Sequence, residues 1–287
     1  MSVDTARILS LPYHEGQPRV GMGLGPDELL ARHGLRDELE RRGFLVSGEE
    51  IPEPGAGTAI ARTIELDRRL AARVRAASEQ YAFPLVLAGN CASCLGTVAG
   101  LDQERLGVVW FDGHADFDTP DDNLSGFFDV MALAMLTGAG WDALRESIPG
   151  FRPVDEQDVV LVGVRDLEPY QRERLEASAV NVVAGAPRMG QIAAAIDDLS
   201  RRVRDVYLHV DLDVLDTSVG RANEHAAAGG LSLETLTEAV TLAGEWLEVR
   251  AAALTAYDPA FDPDGDVGRA AVAVAAAAAE AGIRRRS

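Results

Sequence analysis

Short apolar runs alternate with longer amphipathic stretches from one end of the chain to the other. The runs Ala6–Leu11, Phe44–Val46, Pro84–Ala88, Leu106–Phe111, Asp158–Val164, Val180–Val183, Val206–Val210 and Arg250–Ala256 are rich in β-branched and aromatic residues and read as strands. Between most of them, apolar residues recur at helical spacing: over Ile60–Gln80, with Arg and Glu interleaved, and again over Leu124–Leu136, Pro169–Ala177, Gln191–Val203, Ser232–Trp246 and Val267–Ala281. Gly229-Gly230 breaks the chain before Ser232, which with Glu234 and Thr235 makes a helix start. Strands alternating with helices predict a mainly parallel sheet covered on both faces. In such sheets ligands bind beyond the carboxyl ends of the strands. Pro52–Gly57 reads as a surface loop, and the alanine-rich Ala270–Ala281 as a packed terminal helix. No internal repeat or long linker divides residues 1–287, so one domain is expected.

Composition narrows the choice of partner. A chain of 287 residues with 47% apolar residues buries a substantial core. A formal net charge of -19 argues against nucleic acid or an anionic membrane surface and favours a small cationic molecule. No apolar run reaches bilayer-spanning length, and the first residues lack the basic and apolar regions of a signal peptide. Two cysteines do not make a disulfide scaffold, so a reducing cytoplasm is the expected compartment.

Two acidic stretches carry the chemistry: Asp112-Gly113-His114-Ala115-Asp116 and Asp211-Leu212-Asp213, each directly behind a predicted strand. Alternate side chains of a strand share a face, so Asp211 and Asp213 are expected to point together, as are Asp112, His114 and Asp116 if the chain stays extended. Either stretch alone is readily a chance loop or helix cap. Both at strand ends of one sheet gather four carboxylates and an imidazole, a charge that needs cations to neutralise it. Carboxylate oxygens with one imidazole suit Mn²⁺ or a related divalent ion.

At these residues the chain resembles the arginase/agmatinase (ureohydrolase) superfamily, nearly end to end. Gly16-Gln17-Pro18-Arg19-Val20-Gly21, with Gly25-Pro26 opening a helix, is similar to its N-terminal signature. Gly89-Asn90-Cys91 stands where the family usually reads Gly-Asp-His. Asp112–Asp116 matches its Asp-Ala-His-x-Asp motif, Asp211–Asp213 its Asp-x-Asp motif, and Gly229-Gly230-Leu231-Ser232 its Gly-Gly-Leu-Thr/Ser stretch. The resemblance implies a three-layer α/β/α fold with a mainly parallel eight-stranded sheet. It also implies a binuclear manganese site whose hydroxide attacks guanidino or amidino groups, and a homo-oligomer. On it, Asp112 and Asp211 bridge two metals, His114 and Asp213 complete one site, and Asp116 with the residue at Cys91 serves the other. Ser125 and Glu168 become candidates for the polar tail of a small guanidino or amidino substrate, with Asp118 and Ser232 as weaker ones.

The departures from the pattern bear on substrate and metal. Cys91 replaces a ligand histidine, and a thiolate is softer and favours Zn²⁺ or Fe²⁺ relative to Mn²⁺, so one ion or two, and another divalent metal, remain open. A loop histidine that many arginases use to shuttle protons falls on Asp129, which either relays a proton or merely caps the next helix; His225 is the other shuttle candidate. The glutamate that binds the guanidinium is placed at Phe261, which accepts no hydrogen bond; Asp258 or Asp262 are possible stand-ins, and otherwise a less basic group such as an N-hydroxyguanidine is expected. His209 faces the same side of its strand as Asp211 and is read as a supporting or core residue. Cys91-Ala92-Ser93-Cys94 also spells C-x-x-C, a weak redox signal. The readings in competition are thus an amidinohydrolase, a catalytically silent metal-binding relative with a structural or sensing role, and a thiol redox protein.

Overall fold

The computed structural model describes residues 4–283. Its main sheet contains β1 (Thr5–Leu11), β4 (Leu45–Glu50), β5 (Phe83–Ala88), β6 (Gly107–Phe111), β7 (Val159–Val162), β8 (Asn181–Val183), β9 (Asp205–Asp211) and β10 (Glu248–Thr255). A two-stranded hairpin of β2 (Tyr13–His14) and β3 (Gln17–Pro18) stands apart from it. The order across the main sheet is β4-β1-β5-β10-β9-β6-β7-β8, and every neighbouring pair is parallel. The expected architecture is therefore present, with the sheet wholly rather than mainly parallel. β5, β6 and β7 are buried along their whole length, which explains their unbroken apolar sequences.

Helices cover both faces. α3 (Ala59–Glu79), α4 (Cys94–Leu101) and α5 (Ala132–Leu136) pack on one side, where Leu70, Val98 and Leu133 share a core with Val108 and Tyr207. α2 (Leu35–Arg41), α8 (Met189–Ser200), α9 (Leu233–Trp246) and α10 (Asp266–Ile283) pack on the other, together with Leu29 of α1 (Gly25–Ala31). The small helices α6 (Asp142–Arg145) and α7 (Pro169–Ala177) lie in the connections around β7. The alanine-rich segment is the buried helix expected of it: alanines let α10 approach α9 so closely that a Cβ on Gly244 would stand 2.4 Å from Ala281 Cβ. No helix among the described residues is long and apolar enough to cross a membrane.

Two expectations change in detail. The helix expected over residues 124–136 is confined to a turn at Asp129–Met131 followed by α5. Gly126 has φ +73, and the Asn123 side chain accepts from Gly126 N–H and donates to the Phe127 carbonyl, so residues 123–127 close into a loop instead. The strand expected over residues 44–46 runs on to Glu50 at the sheet edge, where β1 supplies its pairing.

Candidate metal and catalytic centre

Cys91, Asp112 and Asp211 come from the carboxyl ends of β5, β6 and β9, three strands that lie in the middle of the sheet. They meet in two overlapping groups. Cys91, Asp112 and Asp116 offer ligand atoms within 4.8 Å of one another, and so do Asp112, His114 and Asp213. Asp211 joins them: its Oδ2 lies 3.1 Å from the Cys91 sulfur. Each ligand residue the sequence singled out is thus in one cluster.

The way they converge differs from the strand argument. β9 ends at Asp211, and residues 212–214 form a tight turn in which Asp211 Oδ1 accepts from Asp213 N–H at 2.8 Å. Likewise Asp112 Oδ1 accepts from His114 N–H at 2.7 Å, and Asp116 sits in the left-handed region at φ +47. Chain reversal, rather than alternation along an extended strand, aims these side chains. The two turns also lock together, because Gly113 N–H donates to Asp213 Oδ1; a Cβ at Gly113 would stand 2.9 Å from that oxygen. Arg165 fastens both from outside: its backbone N–H donates to the Gly113 carbonyl, and its guanidinium to the carbonyls of Gly163, Asp213, Leu215 and Ala227.

Burial of so many acids sets the electrostatics. Burial, with Asp213 and Asp112 nearby, pushes the Asp211 carboxyl well up, and burial together with Asp112 does the same to Asp116. Burial raises Asp112 as well. The Cys91 thiol is pushed up by burial and by Asp211. Burial alone would lower His114, but Asp213, 3.2 Å from its Nδ1, and Asp112 outweigh that and hold it up to about 12. The same pairing holds Asp213 below the usual carboxylate range against its own burial. One imidazolium thus serves four acids, Asp112, Asp116, Asp211 and Asp213, so the donor set fits one or two divalent cations.

The ligands open into a cavity of about 100 Å³, which Met22, Phe127, Gln171, Asn223, His225 and Ala256 help to wall. Asp129 also lines it, but its carboxylate already accepts from Asn90 Nδ2 and from the N–H groups of Cys91 and Ala92, at 2.7–2.8 Å. It therefore caps the turn that carries Cys91, and burial raises its pKa in spite of those donors. His225 stands half-exposed at the mouth, its ring 6.2 Å from that of His114 and stacked on Phe127 at 6.1 Å.

The four expected substrate contacts are not brought into this cavity. Ser125 is exposed and bonded to Asn123; Glu168 heads α7 in a capping box with Gln171. Asp118 is buried under Tyr170 and Gln171, each donating to it at 3.0 Å, and Ser232 caps α9 through Thr235 N–H. Phe261 is 38% exposed, with Arg221 over its ring, and lies outside the cavity. The residue at the end of β10 that does line it is Ala256, at φ +61. Asp258 and Asp262 are spent locally: Asp258 accepts from Ala260 N–H, and Asp262 accepts from Tyr257 O–H and Gly268 N–H.

Sequence reasoning missed Asp166, Gln171 and Asn223. Asp166 reaches 3.8 Å from His114 Nε2, while Asn223 donates to Asp213 Oδ2 and to the Ala256 carbonyl. Asp166 directly follows Arg165, and the sequence carries no separate motif that marks it. His209 is buried and not a ligand: its ring stacks on Trp110 at 3.6 Å, and burial lowers its pKa to about 3.

Fold and cluster define a parallel α/β protein with a polycarboxylate metal centre at its strand ends. The family model for the arginase family matches residues 4–281, and this chain belongs to that family, within the ureohydrolase superfamily. It is 29% identical to the arginase of Bacillus caldovelox over 286 residues, 93% of this chain and 95% of that protein. It is 28% identical to the arginase of Bacillus subtilis over 93% and 95% of the two chains. The solved structure of the Bacillus caldovelox arginase superposes with a TM-score of 0.85, covering 96% of this chain and 98% of that one, at 28% identity.

Proposed function

We propose that this chain is a divalent-metal-dependent hydrolase that cleaves one C–N bond of a small linear guanidino or amidino compound. The observation that carries the reading is the pair of overlapping donor groups at the cavity floor. Cys91, Asp112 and Asp116 would hold one ion, and Asp112, His114 and Asp213 a second, with Asp211 between them; manganese is the expected metal. When bound, such cations make water a nucleophile at neutral pH and offset the negative charge that develops during its attack.

The chain's own residues supply position and proton traffic. The oxygen of water adds to the amidine carbon, the bond to the departing nitrogen breaks, and that nitrogen takes up a proton and leaves as the amine. His225, half-exposed beside the cavity, is placed to exchange that proton with solvent. Asp129, its oxygens occupied by three N–H donors, holds the Cys91 turn in place instead. Met22 and Phe127 give the substrate an apolar wall.

The finer part of the proposal is a weakly basic substrate of the N-hydroxyguanidine type. Its support is Ala256 at the end of β10, together with the local use of Asp258 and Asp262, which leaves a strongly basic guanidinium without a carboxylate from that side. A cytoplasmic homo-oligomer completes the reading. The test is Mn²⁺-loaded protein assayed for urea or ammonia release over arginine, agmatine, guanidinobutyrate, formiminoglutamate and hydroxyarginine. Turnover greatest on hydroxyarginine is expected. Arginine turned over faster would overturn the substrate refinement, and no turnover with a full site would favour the silent relative.

A further inference from the structure

Behind Cys91 lies a chain of buried hydrogen bonds that the hydrolytic reading does not use. The Tyr207 hydroxyl is 2.8 Å from His209 Nδ1, His209 Nε2 is 3.3 Å from Thr255 Oγ1, and Thr255 Oγ1 is 3.2 Å from the Cys91 sulfur. Tyr207 and His209 are wholly buried and Thr255 nearly so. The His209 ring lies flat on Trp110, 13° from parallel, and Trp110 Nε1–H donates to Asp112 Oδ2 at 2.8 Å. Two stacked rings on adjacent strands thus each reach one member of the same donor group, directly for Asp112 and through Thr255 for Cys91.

We propose that Tyr207, His209 and Thr255 form a directed hydrogen-bond chain that aims the Thr255 hydroxyl proton at the Cys91 sulfur and so fixes that sulfur as a metal ligand. A neutral imidazole has one N–H and one acceptor nitrogen. With Tyr207 O–H donating to Nδ1, the His209 proton sits on Nε2 and is donated to Thr255 Oγ1. The Thr255 hydroxyl then has its own proton to donate, and its acceptors are the Cys91 sulfur and the Val210 carbonyl at 3.4 Å. A cation that takes a thiolate here leaves a negative sulfur that no longer donates to Asp211, and a charged acceptor draws the hydroxyl proton from a neutral carbonyl. His209 and Thr255 are positioning residues in this scheme: they act through Cys91. Outer partners of this sort orient ligands and tune the ion.

This inference rests on the metal-dependent reading above, and its test separates the two. The whole protein is loaded with Co²⁺, and the thiolate-to-cobalt charge-transfer band and the Co²⁺ dissociation constant are measured, with Cys91→Ser as the reference for a lost band. Thr255→Val is expected to shift the band to lower energy and to weaken Co²⁺ binding about tenfold, the usual range for a supporting hydrogen bond. His209→Phe keeps the stack and should change both readouts in the same direction by less. Thr255→Ser keeps the hydroxyl and should match the parent; if it loses as much as Thr255→Val, packing is responsible and the chain is refuted. A parent protein with no thiolate band, or Thr255→Val without effect, also overturns it. A parent that shows the band yet hydrolyses no guanidino compound sinks the hydrolase and leaves this inference standing.

Discussion

The floor of the cavity and the segments outside it use their polar side chains in opposite ways. On the floor, Asp211 and Asp213 each accept a backbone N–H with one oxygen, Asp112 accepts an N–H on each of its two, from His114 and from the Trp110 indole, and those bonds aim the carboxylates at their neighbours. Outside the cavity, Ser125, Glu168 and Ser232 turn inward on their own loops and helix starts, and Asp118 is covered by Tyr170 and Gln171. The walls above the floor are mixed: Met22, Phe127, Ala256 and the His225 ring stand beside Asp166, Gln171 and Asn223. Chemistry is thus built rigidly from strand ends, while recognition falls to loops that hold themselves in shape.

The sharpest way to break this contrast is at the floor. Asp211→Asn should abolish metal binding and turnover together, with activity below roughly one-hundredth of the parent, since this carboxylate touches Cys91 of one donor group and accepts from Asp213 N–H of the other. Metal analysis beside a rate assay checks it, and retained metal would place Asp211 outside the centre. Trp110→Phe keeps the ring stack but frees Asp112 Oδ2, so metal affinity should fall by about ten- to a hundredfold in a metal titration.

A pH series sharpens the comparison without mutation. Asp112, Asp116, Asp211 and His114 all have pKa values raised in the fold. A group so raised binds its proton more tightly folded than unfolded, and its contribution is lost as pH rises toward the folded value. Asp213 is shifted the other way, and its effect is confined to acid below the ordinary Asp range. Metal-free protein should therefore show a falling Tm from pH 5 to pH 8, and added Mn²⁺ should raise Tm more at pH 8. An equal Mn²⁺ gain at both values would show that the acids are not a charge-burdened cluster. The smallest effect lies outside the cavity: Ser232→Ala should cost about 1 kcal/mol of stability by denaturant unfolding through the lost helix cap, with metal content unchanged.

The strands were legible because runs such as Val108–Phe111 and Tyr207–Val210 are rich in β-branched and aromatic residues, and the ligands because each motif follows one of them directly. α4 escaped because it is buried on every side and shows no polar stripe. The helix α2 spans only seven residues, too short to set a period, whereas α1 starts at the Gly25-Pro26 that the resemblance marked as a helix opening. Asp166, Asn223 and Ala256 come from three separate segments, and a small residue such as Ala256 announces itself only once the fold surrounds it. The expected place of Phe261 failed for a related reason: β10 ends at Thr255, so the cavity position comes five residues earlier than spacing suggested.

The grip of Asp129 on residues 90–92 ties the far end of the Phe127 loop to the turn that bears Cys91. Entry and reactive centre are therefore mechanically one piece. Emptying the floor of its cations should slacken the doorway, and a ligand pressing on the doorway should tighten the hold on those cations.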